Sequence, residues 1–313
     1  MTAQAPPEEQ PVILPFDDEA VARAAATIAA GGIVAVPTET VYGLAADARM
    51  PEAVARIYAA KGRPSFNPLI VHVLDVPGAE ALAVLDADAR ALAAHFWPGP
   101  LTLVLPLRPD AGLAGAVTAG LDTVAIRVPA HRAMRALLSA TGAPLAAPSA
   151  NASNGISPTR AAHVVASLRA RVPLVIDDGA CPAGVESTIV AGRTILRPGP
   201  VTEAMLAAVL PVTPGTTAHV SAPGQLAHHY APGKPVRLGA TAREGDEWLI
   251  GYGAIAGDDN LSAAGDPIEA AARLFDALHR ADASDRARIA VAPVPEVGVG
   301  VAINDRLRRA AAR

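Results

Sequence analysis

Helical patterns alternate with short apolar runs through the first two thirds of the chain, and this alternation constrains the fold more than any other feature. The first helix is predicted to begin at Asp17 or Asp18 and to end at the Gly31-Gly32 pair. Further helices are predicted over 51–60, 86–97, 131–140 and 159–168. For the last of these, Ser157 is the predicted N-cap and Pro158 the predicted first-turn residue. Strands are predicted over 33–37, 69–74, 101–107, 123–129, 174–179, 187–190 and 194–199. This order, with hairpin-like spacing near 187–197, predicts an α/β domain with a mixed sheet.

The pattern changes after Leu210. Residues 211–235 are rich in Pro, Gly, Thr and His and show no periodicity, which is typical of a linker. Beyond them lie the strand patterns VRL, WLIGYG and RIAVAPV, a helix over 268–281 and a final helix INDRLRRAAA. A chain of 313 residues is also longer than a domain with a single hydrophobic core usually is. We therefore expect a large domain over 1–213, a linker over 214–235 and a small Rossmann-like α/β domain over 236–313.

Composition and common motifs exclude several classes of protein. A net charge of -4 and only 3% aromatic residues provide no general basis for binding nucleic acid or an anionic membrane. The single cysteine, Cys181, excludes an internal disulfide and a cysteine-rich zinc site. The sequence lacks four common nucleotide-binding or catalytic motifs: GxxxxGK[ST], a helix-opening GxGxxG, HExxH and GxSxG. Without a signal-peptide pattern or an apolar run of about 18 residues, a cytoplasmic protein is expected.

The segment KGRPSFNPLIVHV, residues 61–73, places two cations on a short loop before an apolar strand. Lys61 and Arg63 could be a solvated helix end, which the helix dipole favours, or one wall of an anion site. Pro64 and Pro68 stiffen the loop. His72, near the end of the strand, could be a hydrogen-bonded core residue or a ligand contact.

Arg127 interrupts the strand TVAIRVP, where its charge must be compensated because an unpaired buried charge is costly. It could form a salt bridge to a structural carboxylate, or its planar guanidinium could bind a carboxylate or phosphate of a ligand. Glu39 and Glu186 present a similar pair of alternatives, because each could lie near a metal or pair with a neighbouring cation.

Polar residues follow several predicted strands, in PTETVYG (37–43), APSANASNGISP (147–158), GVESTIV (184–190) and TILRPGP (194–200). Each segment alone could be ordinary turn chemistry. Open α/β sheets, however, bind ligands at such strand ends. The four cations Lys61, Arg63, Arg127 and Arg197 would suit a triphosphate together with a carboxylate substrate.

The segments KGRPSFNPLIVHV, PTETVYGLAADA, FWPGPLTLVLP, GLDTVAIRVPAH, APSANASNGISPT, DDGACPAGVESTIV and ILRPGPVT, in this order, resemble the YrdC-like family in its longer, two-domain form. The resemblance covers roughly residues 30–235, and the C-terminal part matches mainly in layout. It implies a twisted mixed sheet with flanking helices around a cationic cavity. It also implies a nucleotidyltransferase that joins L-threonine, bicarbonate or CO₂ and ATP, with Mg²⁺, into threonylcarbamoyl-adenylate and pyrophosphate.

In that family, separate proteins transfer the threonylcarbamoyl group to certain tRNAs. The resemblance implies that Lys61 and Arg63 are catalytic and that Thr40, His72, Arg127 and Ser187 bind threonine. It further implies an ATP site formed by Arg63, Asn67, Thr123, Ser149, Asn151, Ser157 and Arg197, and a lid residue at Tyr230.

The linker departs from the family's usual pattern at Ala222 and Gln225, so its contacts are not carried over. We expect the linker and the C-terminal unit to close over the bound nucleotide. Two rival functions are an RNA-binding or ribosome-assembly role, which low aromatic content and net acidity disfavour, and carbamoyl transfer in metal-cofactor maturation, which the single cysteine disfavours.

Overall fold

A computed structural model describes residues 10–215 and 229–312. The helices are α1 (Asp18–Ala29), α2 (Pro51–Lys61), α3 (Val76–Leu82), α4 (Ala87–Phe96), α5 (Gly115–Thr118), α6 (Arg132–Thr141), α7 (Ala161–Leu168), α8 (Glu203–Ala207), α9 (Pro267–Ala283) and α10 (Gly300–Ala311), with a short 3₁₀ turn at Arg169–Arg171. The strands are β1 (Val12–Pro15), β2 (Val34–Pro37), β3 (Tyr42–Asp47), β4 (Ile70–His72), β5 (Leu101–Pro106), β6 (Thr123–Arg127), β7 (Leu145–Ala146), β8 (Leu174–Asp177), β9 (Thr188–Ala191), β10 (Thr194–Arg197), β11 (Thr213–Pro214), β12 (Val236–Leu238), β13 (Glu247–Gly251), β14 (Asp259–Asn260) and β15 (Arg288–Val291).

The first eleven strands form one mixed sheet in the order β1-β8-β2-β3-β7-β4-β6-β5-β9-β10-β11. Alternate residues of its strands face opposite layers of helices, as the period of two requires. Val34 and Val36 pack with α1 and α6 on one face, whereas Ala35 packs in the cluster that contains α2, α4 and α7. The predicted mixed α/β sheet with flanking helices is therefore confirmed.

One predicted helix start is wrong. Helix α7 begins at Ala161 with Arg160 at the N-cap, and not at Ser157 and Pro158. The Ser157 hydroxyl instead donates a 2.5 Å hydrogen bond to Oε1 of Glu186. Ser157 does not cap the helix because its hydroxyl is hydrogen-bonded to the buried carboxylate of Glu186, 29 residues away.

The last four strands form a second, entirely parallel sheet in the order β12-β15-β13-β14. Helices α9 and α10 pack with it in one apolar cluster, as expected of a small Rossmann-like unit. Val41, Ile156 and Val185, which belong to the first 215 residues, are buried in the same cluster. The two sheets are thus joined through a shared apolar interface. No helix in 10–215 or 229–312 is long and apolar enough to cross a membrane.

Candidate active site

A cavity of about 50 Å³ lies where several strand ends of the large sheet meet residues 229–230. It is lined by Thr38, Thr40, Val41, Gly43, Arg63, Ile70, His72, Arg127, Ala147, Pro148, Ser149, Glu186, Ser187, Arg197, His229 and Tyr230. Three arginines therefore face a small cavity, so its chemistry is suited to anionic groups.

Arg127, at the end of β6, forms one side of the cavity and is almost fully buried. Its Nη1 donates to Thr40 Oγ1 at 2.8 Å, and its Nε donates to the Gly99 carbonyl at 3.1 Å. Its Nη2 lies 2.6 Å from Glu39 Oε1. This contact is an ion pair, and neither Glu39 oxygen nor Arg127 Nη2 makes a hydrogen bond of standard geometry to the described residues. The charges are paired, but the hydrogen-bonding capacity remains unused.

The pKa of Glu39 reflects this position. Burial raises the pKa of the carboxyl, but the charge of Arg127 and the nearby N–H groups together outweigh burial and hold the pKa below its ordinary value. The sequence left open whether Glu39 would approach a metal or a cation, and the structure shows the cation.

His72 lies beside Arg127 because β4 and β6 are parallel and their last residues are in register. Its side chain is buried, and Nδ1 makes no hydrogen bond within the described part of the chain. Burial, followed by the charge of Arg127, lowers the pKa of His72 to about 3, so the ring is neutral. The unpaired Nδ1 at a cavity wall is compatible with the ligand-contact alternative for His72.

Arg197 and Ser187 form the opposite wall. Arg197 is buried at the end of β10 and donates from Nε and Nη2 to the Ser187 carbonyl, at 3.1 and 2.9 Å, and from Nη2 to Ser187 Oγ at 3.1 Å. Ser187 Oγ also lies 2.7 Å from Thr102 Oγ1. The hairpin of β9 and β10 brings these two residues together, because antiparallel pairing folds Arg197 back beside the start of β9.

The loop after α2 supplies a third arginine. Arg63 lines the cavity and donates from Nε to the Asn67 carbonyl at 3.1 Å and from Nη2 to the Pro68 carbonyl at 2.8 Å. Burial lowers the pKa of Arg63 to about 10. Asn67 is buried beside this arginine, and its Oδ1 has no hydrogen-bond partner among the residues described. The loop is thus folded around the Arg63 guanidinium.

Lys61 does not line this cavity. It is buried, and its Nζ donates to the carbonyls of Ser149 and Asn151 at 2.6 and 2.5 Å and lies 3.4 Å from Asn151 Oδ1. Burial, and then the charges of Arg63 and Arg171, hold the pKa of Lys61 well below its ordinary value. In this conformation the ammonium holds the 149–151 turn and does not face the cavity.

The remaining residues predicted for nucleotide binding are dispersed. Ser149 lines the cavity, whereas the Asn151 amide donates to the carbonyls of Ala152 and Gly155. Ser157 is occupied by Glu186. Thr123 begins β6, four residues before Arg127 and therefore about 13 Å along the strand. The structure brings Thr40, Arg63, His72, Arg127, Ser149, Ser187, Arg197 and Tyr230 to one cavity, and places Lys61, Asn67, Thr123, Asn151 and Ser157 around or beyond it.

Tyr230 closes the cavity from the side of the C-terminal unit. Its ring is fully buried, it contacts His229 and Phe275, and Arg306 Cζ lies 5.4 Å from its centre. His229 Nδ1 and Tyr230 Oη make no hydrogen bond to any described residue. The linker pattern around Ala222 and Gln225 lies outside the described residues.

Sequence reasoning missed His229 and Arg306. Arg306 Nε donates to Glu186 Oε2 at 2.9 Å, which assigns Glu186 to a cation from α10. The signal for Arg306 was present, because it shares the buried stripe of α10 with Ala302, Ile303, Leu307 and Ala310. A charged residue at such a position requires a buried partner.

Potential metal ligands are scattered. No group of three or more His, Cys, Asp or Glu side chains suited to a metal occurs within 10–215 and 229–312. Glu39 and Glu186 are both paired with arginines. Cys181 is buried, and burial raises the pKa of its thiol, as expected of a structural cysteine.

Both parts of the chain match known protein families. Residues 26–199 match the family model of the Sua5, YciO and YrdC proteins, described as "Telomere recombination". Residues 201–312 match the model described as "Threonylcarbamoyl-AMP synthase, C-terminal domain". The first match covers more than half of the chain and includes most of the cavity residues.

Two curated relatives align over nearly the whole chain. The threonylcarbamoyl-AMP synthase of Bacillus subtilis is 39% identical over 95% of this chain and 94% of its own length. That of Pyrococcus abyssi is 39% identical over 92% of each. The crystal structure of P. abyssi Sua5 complexed with L-threonine superposes with a TM-score of 0.89 at 35% identity, covering 96% of this chain and 97% of that one. The chain therefore belongs to the Sua5/YciO/YrdC family, in the form that carries the C-terminal domain of the threonylcarbamoyl-AMP synthases.

Proposed function

We propose that this protein is a nucleotidyltransferase that makes threonylcarbamoyl-adenylate from L-threonine, bicarbonate or CO₂ and ATP, with release of pyrophosphate. The observation that carries the proposal is a group of buried atoms that line one cavity without hydrogen bonds to described residues: His72 Nδ1, Arg127 Nη2, His229 Nδ1 and Tyr230 Oη. Leaving such atoms unpaired costs about 1–3 kcal/mol each, so they favour a polar ligand that pairs them. The family supplies the identity of that ligand.

We assign threonine to the Arg127 end. The carboxylate of threonine would accept from Arg127, whose guanidinium is oriented by Thr40 and the Gly99 carbonyl. Neutral His72 would contact the substrate without adding charge. Ser187, whose hydroxyl is shared with Thr102, would border the same pocket.

We assign the ATP phosphates to Arg63 and Arg197, with Ser149 beside them. Asn67, Thr123, Asn151 and Ser157 are proposed to extend this site, each directly or through the loop that it supports. Lys61 is proposed to act through the 149–151 turn that its ammonium holds.

The reaction needs two anions in line. The threonine amine attacks CO₂ and loses a proton, which gives a carbamate. A carbamate oxygen then bonds to the α-phosphorus of ATP as the bond to the β-phosphate oxygen breaks, and pyrophosphate leaves. Holding both reactants in register can contribute about 7–11 kcal/mol at best, and fixed arginines stabilise charge that develops on the phosphates.

The cavity must open to admit ATP. Its volume of about 50 Å³ is far below the ~300–1,000 Å³ of typical ligand clefts. His229 and Tyr230 are lining residues that belong to the linker (214–235) between the two domains, and we propose that Tyr230 acts as a lid over the site. We retain the division into a catalytic domain (1–213), this linker and a C-terminal domain (236–313) as part of the proposal.

Within residues 10–215 and 229–312, no protein site for magnesium is evident. Since both candidate glutamates are paired with arginines, the described residues do not form a carboxylate cage for Mg²⁺. Mg²⁺ commonly binds through substrate phosphates and water. It therefore enters this proposal only as part of the MgATP substrate. The product would pass, in the cytoplasm, to the enzymes that transfer threonylcarbamoyl groups to tRNA, and direct tRNA binding is not required.

An omission assay tests the proposed reaction. Pyrophosphate release is measured with ATP, Mg²⁺, L-threonine and bicarbonate, leaving out one component at a time. We expect release only when all are present. Release that needs neither threonine nor bicarbonate would contradict the proposal, and salt-sensitive RNA binding without turnover would support the RNA-binding rival instead.

A further inference from the structure

Arg306 is the largest fully buried side chain in the described part of the chain. It lies on α10, in the C-terminal unit, yet most of its hydrogen bonds reach into the large sheet's domain. Besides Glu186 Oε2, it donates from Nη1 to the Pro198 carbonyl at 2.8 Å and from Nη2 to the Glu186 carbonyl at 3.4 Å. Its neighbour Asp305 also accepts from Nη1.

These contacts fall directly behind two cavity residues. Glu186 precedes Ser187, and Pro198 follows Arg197. Ser187 and Arg197 are themselves hydrogen-bonded across the cavity wall. Arg306 therefore hydrogen-bonds to the backbone next to Ser187 and to the backbone next to Arg197. Its guanidinium also lies over the Tyr230 ring.

The charge of Glu186 gives this contact an electrostatic consequence. Glu186 lines the cavity, and after burial the charges that act most strongly on its carboxyl are those of Arg306 and then Arg197, which hold its pKa low. Without Arg306, this carboxylate would face Arg197 and would oppose an approaching phosphate.

We propose that Arg306 is a positioning residue of the active site: from the C-terminal domain it holds the Ser187–Arg197 wall and Tyr230 in place and neutralises Glu186, so that Arg197 can bind phosphate. This inference rests on the proposed function. It assigns to the C-terminal domain the task of completing the phosphate side of the cavity.

The test compares Arg306→Gln with Arg308→Gln in the full-length chain. Arg308 is a matched control because it lies on the same helix but is exposed and pairs with Glu296. We expect Arg306→Gln to raise the KM for ATP at least about tenfold, equivalent to about 1.4 kcal/mol, with a much smaller change in the KM for threonine. Glu186→Gln added to Arg306→Gln should restore most of the ATP KM, since it removes the uncompensated carboxylate. Arg308→Gln should change neither constant.

Hydrogen–deuterium exchange provides a second readout that needs no turnover. We expect Arg306→Gln to accelerate exchange in 186–189 and 229–232 and to leave 123–127 unchanged. If the glutamine variant does not fold, Arg306→Lys, which keeps the charge but cannot span Glu186 and Pro198, should give the same effects in weaker form.

An unchanged ATP KM, or equal rises in both KM values, would overturn the inference while leaving the proposed function intact. If the wild-type chain released no threonine-dependent pyrophosphate, the proposed function would fail, and the exchange experiment would still decide the inference. Unchanged exchange at 229–232 would then refute it.

Discussion

Two buried arginine–glutamate pairs flank the same cavity, and they differ in how completely they are hydrogen-bonded. In the pair of Arg127 and Glu39 the closest atoms are 2.6 Å apart, but both carboxylate oxygens and Arg127 Nη2 lack hydrogen bonds to described residues. In the pair of Arg306 and Glu186, one carboxylate oxygen accepts from Arg306 and the other from Ser157.

This difference suggests that one pair serves ligand binding and the other stabilises the fold. A buried ion pair compensates its desolvation cost only when its remaining donors and acceptors are also satisfied. The Glu186 pair meets this condition and joins two domains, so its role is to fix geometry. The Glu39 pair does not meet it, and its arginine, Arg127, lines the cavity. A threonine molecule, with a carboxylate and an amine, would supply the missing partners.

The largest expected effect is a loss of stability at the fully hydrogen-bonded pair of Arg306 and Glu186. Arg306→Met leaves Glu186 buried without its cation, so we expect the free energy of unfolding to fall by about 3–5 kcal/mol. Chemical denaturation followed by circular dichroism measures this. Adding Glu186→Met should recover much of the loss, because replacing a whole buried pair with apolar residues is often neutral. Arg308→Met, at an exposed pair, should cost no more than about 1 kcal/mol. A loss at Arg306 as small as that at Arg308 would break the comparison.

A medium effect is expected at the same interface on acidification. His279 stacks on His163 with ring centres 3.8 Å apart and donates from Nε2 to the carbonyl of Ser157, the residue that binds Glu186. Burial lowers the pKa of His279 to about 4. Because the unfolded chain binds the proton more readily, the stability is complete above pH 6.5 and is lost as the pH falls toward 4.

His279→Gln should therefore remove part of that acid sensitivity, on the order of 1–3 kcal/mol between pH 7 and 4.5. Denaturation curves of both proteins across this range provide the measurement. Parallel stability profiles would show that His279 does not contribute, and would remove it from the satisfied interface.

The smallest effect is expected at the incomplete pair. Glu39→Gln removes the counter-charge of buried Arg127 but keeps a polar group beside it, so we expect a loss of about 1–2 kcal/mol, well below that at Arg306. The same denaturation assay applies. A cost equal to that of Arg306→Met would mean that both pairs are structural, and the distinction drawn between them would be wrong.

The fold was largely predictable because its long elements have clear periodicity and punctuation. Asp17 caps α1 as predicted, accepting from the Ala20 amide at 2.7 Å, and Gly62 ends α2 in the left-handed conformation. Strands β1, β3, β7, β11 and β14 and helices α3, α5 and α8 were not predicted. Most of them have two to five residues and therefore no periodicity to detect, and β3 is buried along its whole length and shows no apolar–polar alternation.

The site was predictable only in part. Family motifs identified the residues around the cavity, but they could not show which were already engaged by the protein itself. Lys61 and Ser157 bind other protein groups in this conformation. Arg306 lies over 100 residues from Glu186, so only the folded chain reveals that the two meet. Local sequence therefore predicts the candidate site residues, and tertiary contacts show which of them face the cavity and which bind other protein groups.

Calorimetric binding of L-threonine and L-threoninamide tests the central claim most directly, because the amide lacks the carboxylate assigned to Arg127. We predict that the wild-type chain prefers threonine by about 30-fold, the value of one charged hydrogen bond of about 2 kcal/mol, and that Arg127→Ala loses this preference. Arg132→Ala, at an exposed arginine paired with Asp178, should retain it. Threonine binding by Arg127→Ala as tight and as selective as that of the wild type would contradict the account.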